Sequence, residues 1–385
     1  MRLKRVTRQL HGWIGVIAAA FILLVALSGA SLAFMSQFFL AQYGNVLRAD
    51  APAAPADLDR LFAAAQASQP GFQPMGVLMP HTRVPDVSTA MVFGMPADAG
   101  GREDPLMISL DPGTARVKGS LWLGDALGHE LIDFHWQLLA GDLGATFVAL
   151  LGLLLALFAL SGLWLWWPRR GHVLKKAGHL RLRNRKLGAA MFSLHGWLGV
   201  WTAVLILVFA LSGTAVARPD WFGRALKDAD AFAPTGTVWQ RQCSGTVTPG
   251  EAARVLAAAH PDRQLTTFYL GAPGGLHTLL MRAPGDLNSM EGDLVAWVHP
   301  TCPGLVHSVD MGEQSLAAKA DSLMFSLHGG YSFGPVLGRI LVLFAGLALA
   351  VLTVSGTITF LARRRRPNRQ SRRTSDWEAA AQPAE

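Results

Sequence analysis

Hydrophobic residues are concentrated in four runs, each long enough to cross a bilayer as a helix, which takes about 20 residues. The runs lie near 13–36, 145–167, 196–217 and 337–361. Basic residues precede the first run, as they would in a signal peptide. That run is too long for the apolar part of a signal, and its counterpart in mid-chain cannot be one. The pattern therefore predicts an α-helical membrane protein with a four-transmembrane-helix bundle.

Between these runs the pattern changes to short helical and alternating segments. Residues 58–67 have helical periodicity and are followed by strand-like pieces near 74–79, 89–94 and 106–110. The same order returns later, with a helix that opens at Thr248 and strand-like pieces near 264–270, 277–282 and 294–299. Alternation over four to eight residues is typical of half-buried strands. We predict two small α+β domains outside the membrane.

The chain also repeats itself. The segment LHGWIGV at 10–16 recurs 184 residues later as LHGWLGV at 194–200. Each of the four apolar runs ends on a Ser-Gly pair, within LSG at 27–29, 160–162 and 211–213 and within VSG at 354–356. This repetition predicts an internal duplication, in which a unit of span, outer domain and span occurs twice.

Charge gives the expected orientation. Basic residues cluster before the first span, between the second and third spans, and after the fourth, which marks the cytoplasmic side. The predicted order is N-terminus with span one (1–36), outer domain one (37–134), span two (135–167), basic loop (168–194), span three (195–217), outer domain two (218–327), span four (328–362) and basic tail (363–385). The net charge of +8 follows from this topology and does not indicate nucleic-acid binding.

The chain has two cysteines, Cys243 and Cys302, and both lie in the second outer domain. An oxidising compartment favours a disulfide between them over two unpaired thiols. No Cys-x-x-Cys-His motif is present, so a covalently attached c-type haem is not expected.

Four histidines stand at the ends of the predicted spans. His11 and His195 lie at the inner ends of spans one and three, and His135 and His328 at the outer ends of spans two and four. Pairing the histidines that lie at the same depth in the membrane, His11 with His195 and His135 with His328, gives one two-histidine site on each side. Two imidazoles from facing helices are suitable axial ligands for the iron of a b-type haem. We predict two haems b held by these four residues.

Other interpretations of the histidines stay open at this point. A single histidine at a helix end could simply anchor it, and the sequence also allows diagonal pairing. His129 is a substitute ligand if the segment before His135 is irregular. The other histidines are expected to be solvated or locally bonded.

Glycines close to the four histidines indicate where a bound group could fit and where a helix could break. Gly15 and Gly199 follow His11 and His195 by one helical turn, and Gly29 and Gly213 lie further along the same faces. We predict that these glycines leave room for a flat macrocycle. Glycine clusters at 141–144 and 329–330 predict breaks in helices two and four just inside the outer histidines.

Three segments carry a resemblance to a known family. ISLDPGTARV at 108–117, FHWQLLAGDLG at 134–144 and LHGGYSFGPVLGR at 327–339 resemble the PepSY-associated transmembrane family. That family includes iron-regulated inner-membrane proteins and ferric-siderophore reductases of the FoxB type. The resemblance implies a bacterial inner-membrane protein with periplasmic PepSY-like domains and cytoplasmic termini. His299 stands where the family has a turn acid, so the two outer domains are not expected to be equivalent.

Together these features predict electron transfer across the membrane. No Gly-x-Gly-x-x-Gly motif follows a strand, so electrons are expected from a quinol or a separate cytoplasmic donor. The resemblance implies a ferric siderophore as acceptor, and so a ferric-siderophore reductase as the expected enzyme. Alternatives are a cytochrome b-like subunit that exchanges electrons with a partner protein, and a non-redox PepSY regulatory or binding protein. Membrane lipid is an expected partner; the sequence does not indicate which residues contact the substrate.

Overall fold

The computed structural model describes residues 2–50, 57–168, 173, 177–178, 180, 187–222, 233–241, 243–271 and 275–364. Most of the basic loop and of the basic tail lies outside the described residues, as do His172 and His179.

The described helices and strands follow the order predicted from the sequence, with additional short helices and a fourth strand after each predicted set of three. In chain order they are α1 (Arg2–Leu32), α2 (Met35–Tyr43), α3 (Leu58–Ser68), β1 (Gln73–Leu78), β2 (Ala90–Met95), β3 (Leu106–Leu110), β4 (Val117–Trp122), α4 (Leu127–Gln137), α5 (Gly141–Trp166), α6 (Leu187–Ala217), α7 (Pro249–Ala259), β5 (Gln264–Tyr269), β6 (His277–Arg282), β7 (Leu294–Val298), β8 (Val306–Asp310), α8 (Leu316–His328) and α9 (Pro335–Arg364).

Helices α1, α5, α6 and α9 are long and apolar enough to cross a membrane. Large apolar side chains on them are exposed, including Ile17 at 73%, Leu143 at 82% and Val204 at 70%. Such exposure is costly in water but suits contact with lipid chains. The prediction of a membrane-embedded helical protein with four spans is confirmed.

Two of the spans begin later than the predicted boundaries at 135 and 328. Leu138 and Leu139 have φ values of +50° and +56°, and they separate α4 from α5. Gly330 and Gly334, both at +79°, separate α8 from α9. Left-handed residues cannot continue a right-handed helix. His135 and His328 therefore lie in the last turns of the short helices α4 and α8, and the predicted breaks are present.

The strands form one antiparallel sheet with the order β4-β3-β2-β1-β5-β6-β7-β8. The strands of the two predicted outer domains therefore belong to one shared sheet. Strands β1 and β5 pair directly, for example through Val77 and Phe268. Each would otherwise be an edge strand with unpaired backbone groups, so joining the edges satisfies both.

A continuous apolar core lies between this sheet and helices α3 and α7. Leu61 of α3 and Leu256 of α7 are almost fully buried, together with Val77 and Phe268 at the junction of β1 and β5. The first turns of the two helices are joined by Asp59, whose carboxylate accepts hydrogen bonds from the Thr248 hydroxyl and the Gly250 N–H. Both halves of the chain thus contribute to one core.

The turns that follow β3 and β7 use different residues for the same task. Asp111 accepts hydrogen bonds from the N–H groups of Gly113 and Thr114. His299 accepts one from the N–H of Thr301 through Nδ1, at 3.2 Å. A neutral imidazole nitrogen thus replaces the turn acid in the second half. Cys243 and Cys302 form a disulfide beside this turn.

The chain divides into two compact units. One, called the helical unit, comprises residues 1–27, 153–210 and 345–385. The other, called the sheet unit, comprises residues 28–152 and 211–344. Each unit contains two of the four span-end histidines.

Candidate functional site

The helical unit brings His11 of α1 and His195 of α6 together. Their ring centres are 6.3 Å apart and the ring planes are nearly perpendicular, at 88°. An imidazole nitrogen binds a transition metal at about 2 Å and lies about 1 Å from its own ring centre. Two imidazoles on opposite sides of one metal ion therefore have ring centres about 6 Å apart. The observed separation matches this arrangement.

The sheet unit brings His135 of α4 and His328 of α8 together in a second pair. Their ring centres are 6.1 Å apart and their planes are inclined by 29°. This separation also matches two ligands on one metal ion. The structure thus pairs the histidines by level, and in each pair one histidine comes from each half of the chain.

Each histidine is held through its Nδ1 by the serine of a Ser-Gly pair on another helix. The distances from Nδ1 to Oγ are 2.9 Å for His11–Ser161, 3.1 Å for His135–Ser28, 3.3 Å for His328–Ser212 and 3.4 Å for His195–Ser355. A metal-binding histidine is commonly fixed in this way through its second nitrogen, which sets the ring orientation. Four such contacts, one for each Ser-Gly pair, make this a repeated device.

The contacts of the helical unit also assign the tautomer. Nδ1 of His195 is 2.9 Å from the carbonyl oxygen of Leu352, which can only accept a hydrogen bond. The Ser161 hydroxyl donates to the Phe158 carbonyl, so its oxygen accepts from Nδ1 of His11. In both histidines the proton is therefore on Nδ1, and the lone pair of Nε2 is the one suited to bind a metal.

Two glycines of the Ser-Gly pairs make room for the imidazoles of the sheet unit. A Cβ on Gly29 would lie 2.7 Å from Cε1 of His135, and one on Gly213 would lie 2.5 Å from Cε1 of His328. The prediction that these two glycines clear space for a macrocycle beside His11 and His195 is therefore wrong. The helical spacing placed Gly29 and Gly213 on the expected faces of their helices. The groups next to them are His135 and His328, which come from other helices.

A cavity of about 1270 Å³ lies within the helical unit and is bordered by His11 and His195. Gly15 and Gly199 line it, as their position one turn from the histidines predicted. The rest of the lining is largely apolar and aromatic and includes Trp13, Phe158, Trp166, Trp197 and Phe360. The cavity is large enough for a flat macrocycle and offers it an apolar wall with two imidazoles.

Three further histidines, His129, His277 and His307, have local partners. His129 lies 3.6 Å from the carboxylate of Asp133, one turn along α4, and is not part of either pair. His307 stacks on Trp297, with ring centres 5.8 Å apart. His277 accepts a hydrogen bond from the Gly271 N–H, and burial lowers its pKa. These contacts account for the three side chains without a bound group.

Two sets of residues at the sites were not assigned a role from the sequence. The serines of the four Ser-Gly pairs were noted only as part of a repeat, although their regular position at the span ends was a usable signal. Arg8, Arg363 and Arg364 line the cavity, whereas charge patterning accounted for them only as markers of orientation. In the described part of the chain no group of three or more His, Cys, Asp or Glu residues is placed to hold a metal ion.

Comparison with curated proteins finds none that matches the chain. The family described as PepSY-associated TM region matches residues 8–363, which include the sheet and all of the four long helices except the start of α1 and the last residue of α9. The chain therefore belongs to the PepSY-associated TM region family.

Proposed function

We propose that the protein is a di-haem b-type transmembrane electron-transfer protein that reduces a ferric siderophore in the periplasm. The observation that carries the proposal is the presence of two histidine pairs, each with ring centres about 6 Å apart. Each ring is held through Nδ1 by a serine beside a glycine. Ionisable residues at membrane depth usually mark a functional site, so four histidines oriented in this way favour ligation over helix anchoring.

At the His11–His195 pair the cavity and its lining suit a haem, and at the His135–His328 pair the ring separation does. His11 and His195 would hold one haem, and His135 and His328 the other, through their Nε2 atoms. Haem b would supply a one-electron carrier at each site. The chain's own contribution is to orient the rings, to fix the proton on Nδ1 in the helical unit and to surround the group with apolar side chains.

The orientation of the protein follows from its charges. The basic segments flanking the spans favour cytoplasmic N- and C-termini in a bacterial inner membrane. The sheet, with its disulfide, would then face the periplasm, where disulfides persist. In this arrangement an internal duplication supplies each haem with one histidine from each half of the chain.

The reaction requires a donor and an acceptor. A quinol or a cytoplasmic protein would supply electrons, and oxidation of one quinol would release two electrons and two protons. Two ferric chelates would each accept one electron. Fe(II) binds hard oxygen ligands less strongly than Fe(III), so the siderophore would release its metal. No proton transfer by a side chain of this protein is needed for that step.

A single-turnover experiment tests this function. The detergent-purified protein is reduced under nitrogen, freed of reductant and mixed with a ferric trihydroxamate chelate and a colorimetric Fe(II) trap. We expect the haem spectrum to become oxidised while two Fe(II) are trapped per chain. If the haems are reduced and stay reduced, the cytochrome b-like subunit is the better description. If the protein holds no haem, the non-redox regulatory function is favoured instead.

A further inference from the structure

Arginines form part of the wall of the cavity in the helical unit. Arg8 of α1 and Arg363 and Arg364 at the end of α9 line it, together with His11 and His195. Arg5, three residues before Arg8 on the same helix, is not part of the lining. Three of the basic residues that flank the spans therefore lie at the cavity. Orientation of the protein in the membrane requires basic residues on this side but does not require them at the cavity.

Aromatic rings of the cavity hold two of these side chains in place. The guanidinium carbon of Arg364 lies 3.9 Å from the ring centre of Trp13 and 5.3 Å from that of Phe360. That of Arg363 lies 4.4 Å from the ring centre of Phe192. Stacking on an aromatic face keeps the planar guanidinium preorganised, so that its N–H donors can bind a carboxylate through two bonds.

The helical unit has no acidic side chain among residues 1–27, 153–210 and 345–364. The acids of the tail, Asp376, Glu378 and Glu385, lie outside the described residues. Charged groups at an apolar wall are stabilised by an opposite charge. The described residues of this unit therefore offer Arg8 and Arg364 no carboxylate, and both exposed side chains are open to an acid group from a bound molecule.

We propose that Arg8 and Arg364 form a carboxylate-binding site for the haem held by His11 and His195 and so fix its orientation in the cavity. This inference rests on the proposed function. A haem b has two carboxylates, so one molecule can satisfy both the imidazoles and the arginines of this cavity. The site is thus a second set of contacts that recognises the acid groups of the cofactor.

Comparing haem with its dimethyl ester tests the proposal, because the ester keeps the iron and the ring but lacks both charges. Chains that carry His135→Ala and His328→Ala, and so retain one site, are produced without haem and titrated with each compound in a lipid-free detergent. We expect haem to bind at least tenfold more tightly than the ester. Arg8→Gln with Arg364→Gln should reduce this preference to less than twofold. Arg5→Gln, the matched control on α1, should leave it unchanged.

The outcomes separate the two proposals. Equal binding of haem and ester by the chain with intact arginines, with a two-histidine optical spectrum for both, would overturn the carboxylate site while haem binding stands. Binding of neither compound would instead contradict the proposed function. If the glutamine variant does not fold, Arg8→Lys with Arg364→Lys is used, and an undiminished preference there would contradict the role of the paired N–H donors.

Discussion

At the scale of single residues, the four Ser-Gly pairs explain how short polar motifs can be placed in apolar helices. Each serine contacts the Nδ1 of a histidine from another helix, and in the sheet unit the neighbouring glycine, Gly29 or Gly213, leaves space for the ring. The repeat of Ser-Gly is visible in the sequence. Its partner is not, because the contact joins residues such as Ser28 and His135, which are far apart in the chain.

Substitution of the histidines should remove haem in pairs. We expect His11→Ala and His195→Ala each to lower the haem content from two to one per chain by loss of the same haem, since one axial ligand is missing. His135→Ala and His328→Ala should each remove the other haem. Redox titration followed by optical spectroscopy identifies which haem remains. A diagonal pairing, in which His11→Ala and His328→Ala lose the same haem, would contradict the assignment.

Gly213 offers a sharper test, because the change is a single methyl group. Alanine favours a helix over glycine by about 1 kcal/mol, so Gly213→Ala should not weaken α6 itself. Its Cβ would lie 2.5 Å from Cε1 of His328, and we expect loss of the haem at the His135–His328 pair.

Gly162→Ala is the matched control for that variant. Its Cβ would lie 3.6 Å from Cε1 of His11, an ordinary van der Waals distance. Haem content should therefore stay at two per chain, as measured by the pyridine haemochromogen. Retention of both haems in Gly213→Ala would show that the close approach to His328 does not matter for binding.

At the scale of elements, local sequence signals predicted where helices and strands lie better than they predicted which strands pair. Thr248 and Glu251 form the capping box that their spacing indicates, and α7 begins there as expected. Strand β8 has no residue that is fully buried, so it carries no apolar run to reveal it. The pairing of β1 with β5 has no local signature at all, since it depends on two edges that meet only in the folded chain.

The turn after β3 should make the stability of the sheet depend on pH. The backbone N–H of Asp50 and the groups of Thr114 donate hydrogen bonds to Asp111 and lower its pKa. Such a group stabilises the folded state above its unfolded pKa of about 3.9 and loses that effect as the pH falls through its lower folded value. Asp111→Asn should cost about 2 kcal/mol at pH 7 and progressively less below pH 4.

Thermal unfolding of the detergent-solubilised protein between pH 7 and pH 3 measures this effect. Asp98→Asn is the control, because Asp98 is exposed and its carboxylate accepts one turn hydrogen bond, from the Gly100 N–H. We expect its curve to follow that of the unchanged chain. An Asp111→Asn curve that runs parallel to the unchanged chain at every pH would contradict the role given to this carboxylate.

At the scale of the whole molecule, two histidine pairs and a single sheet are built from both halves of the chain. Composition and charge predicted the membrane helices, because a run of about 20 apolar residues is typical of a membrane-spanning helix. The joining of the two outer segments into one sheet was not predictable from either segment alone. The consequence is that neither half has a complete histidine site or a closed core by itself.

The predicted orientation can be tested with reporter fusions. We expect a fluorescent protein fused after Glu385 to fluoresce, since the basic tail should be cytoplasmic. Alkaline phosphatase inserted in the exposed turn at Gly100 and Gly101, where a side chain would meet nothing within 4 Å, should be active, since that enzyme requires an oxidising compartment. The opposite pair of results would reverse the proposed direction of electron flow.

The most direct test of the two proposed haem sites is the haem content of the purified protein. The protein is isolated in detergent from haem-replete cells, and its optical spectrum is recorded before and after reduction with dithionite. Haem is then quantified as the pyridine haemochromogen. The proposed function predicts two b-type haems per chain with the spectrum of two-histidine ligation. A colourless protein from such cells would contradict it, and the histidine pairs would then require an explanation without redox chemistry.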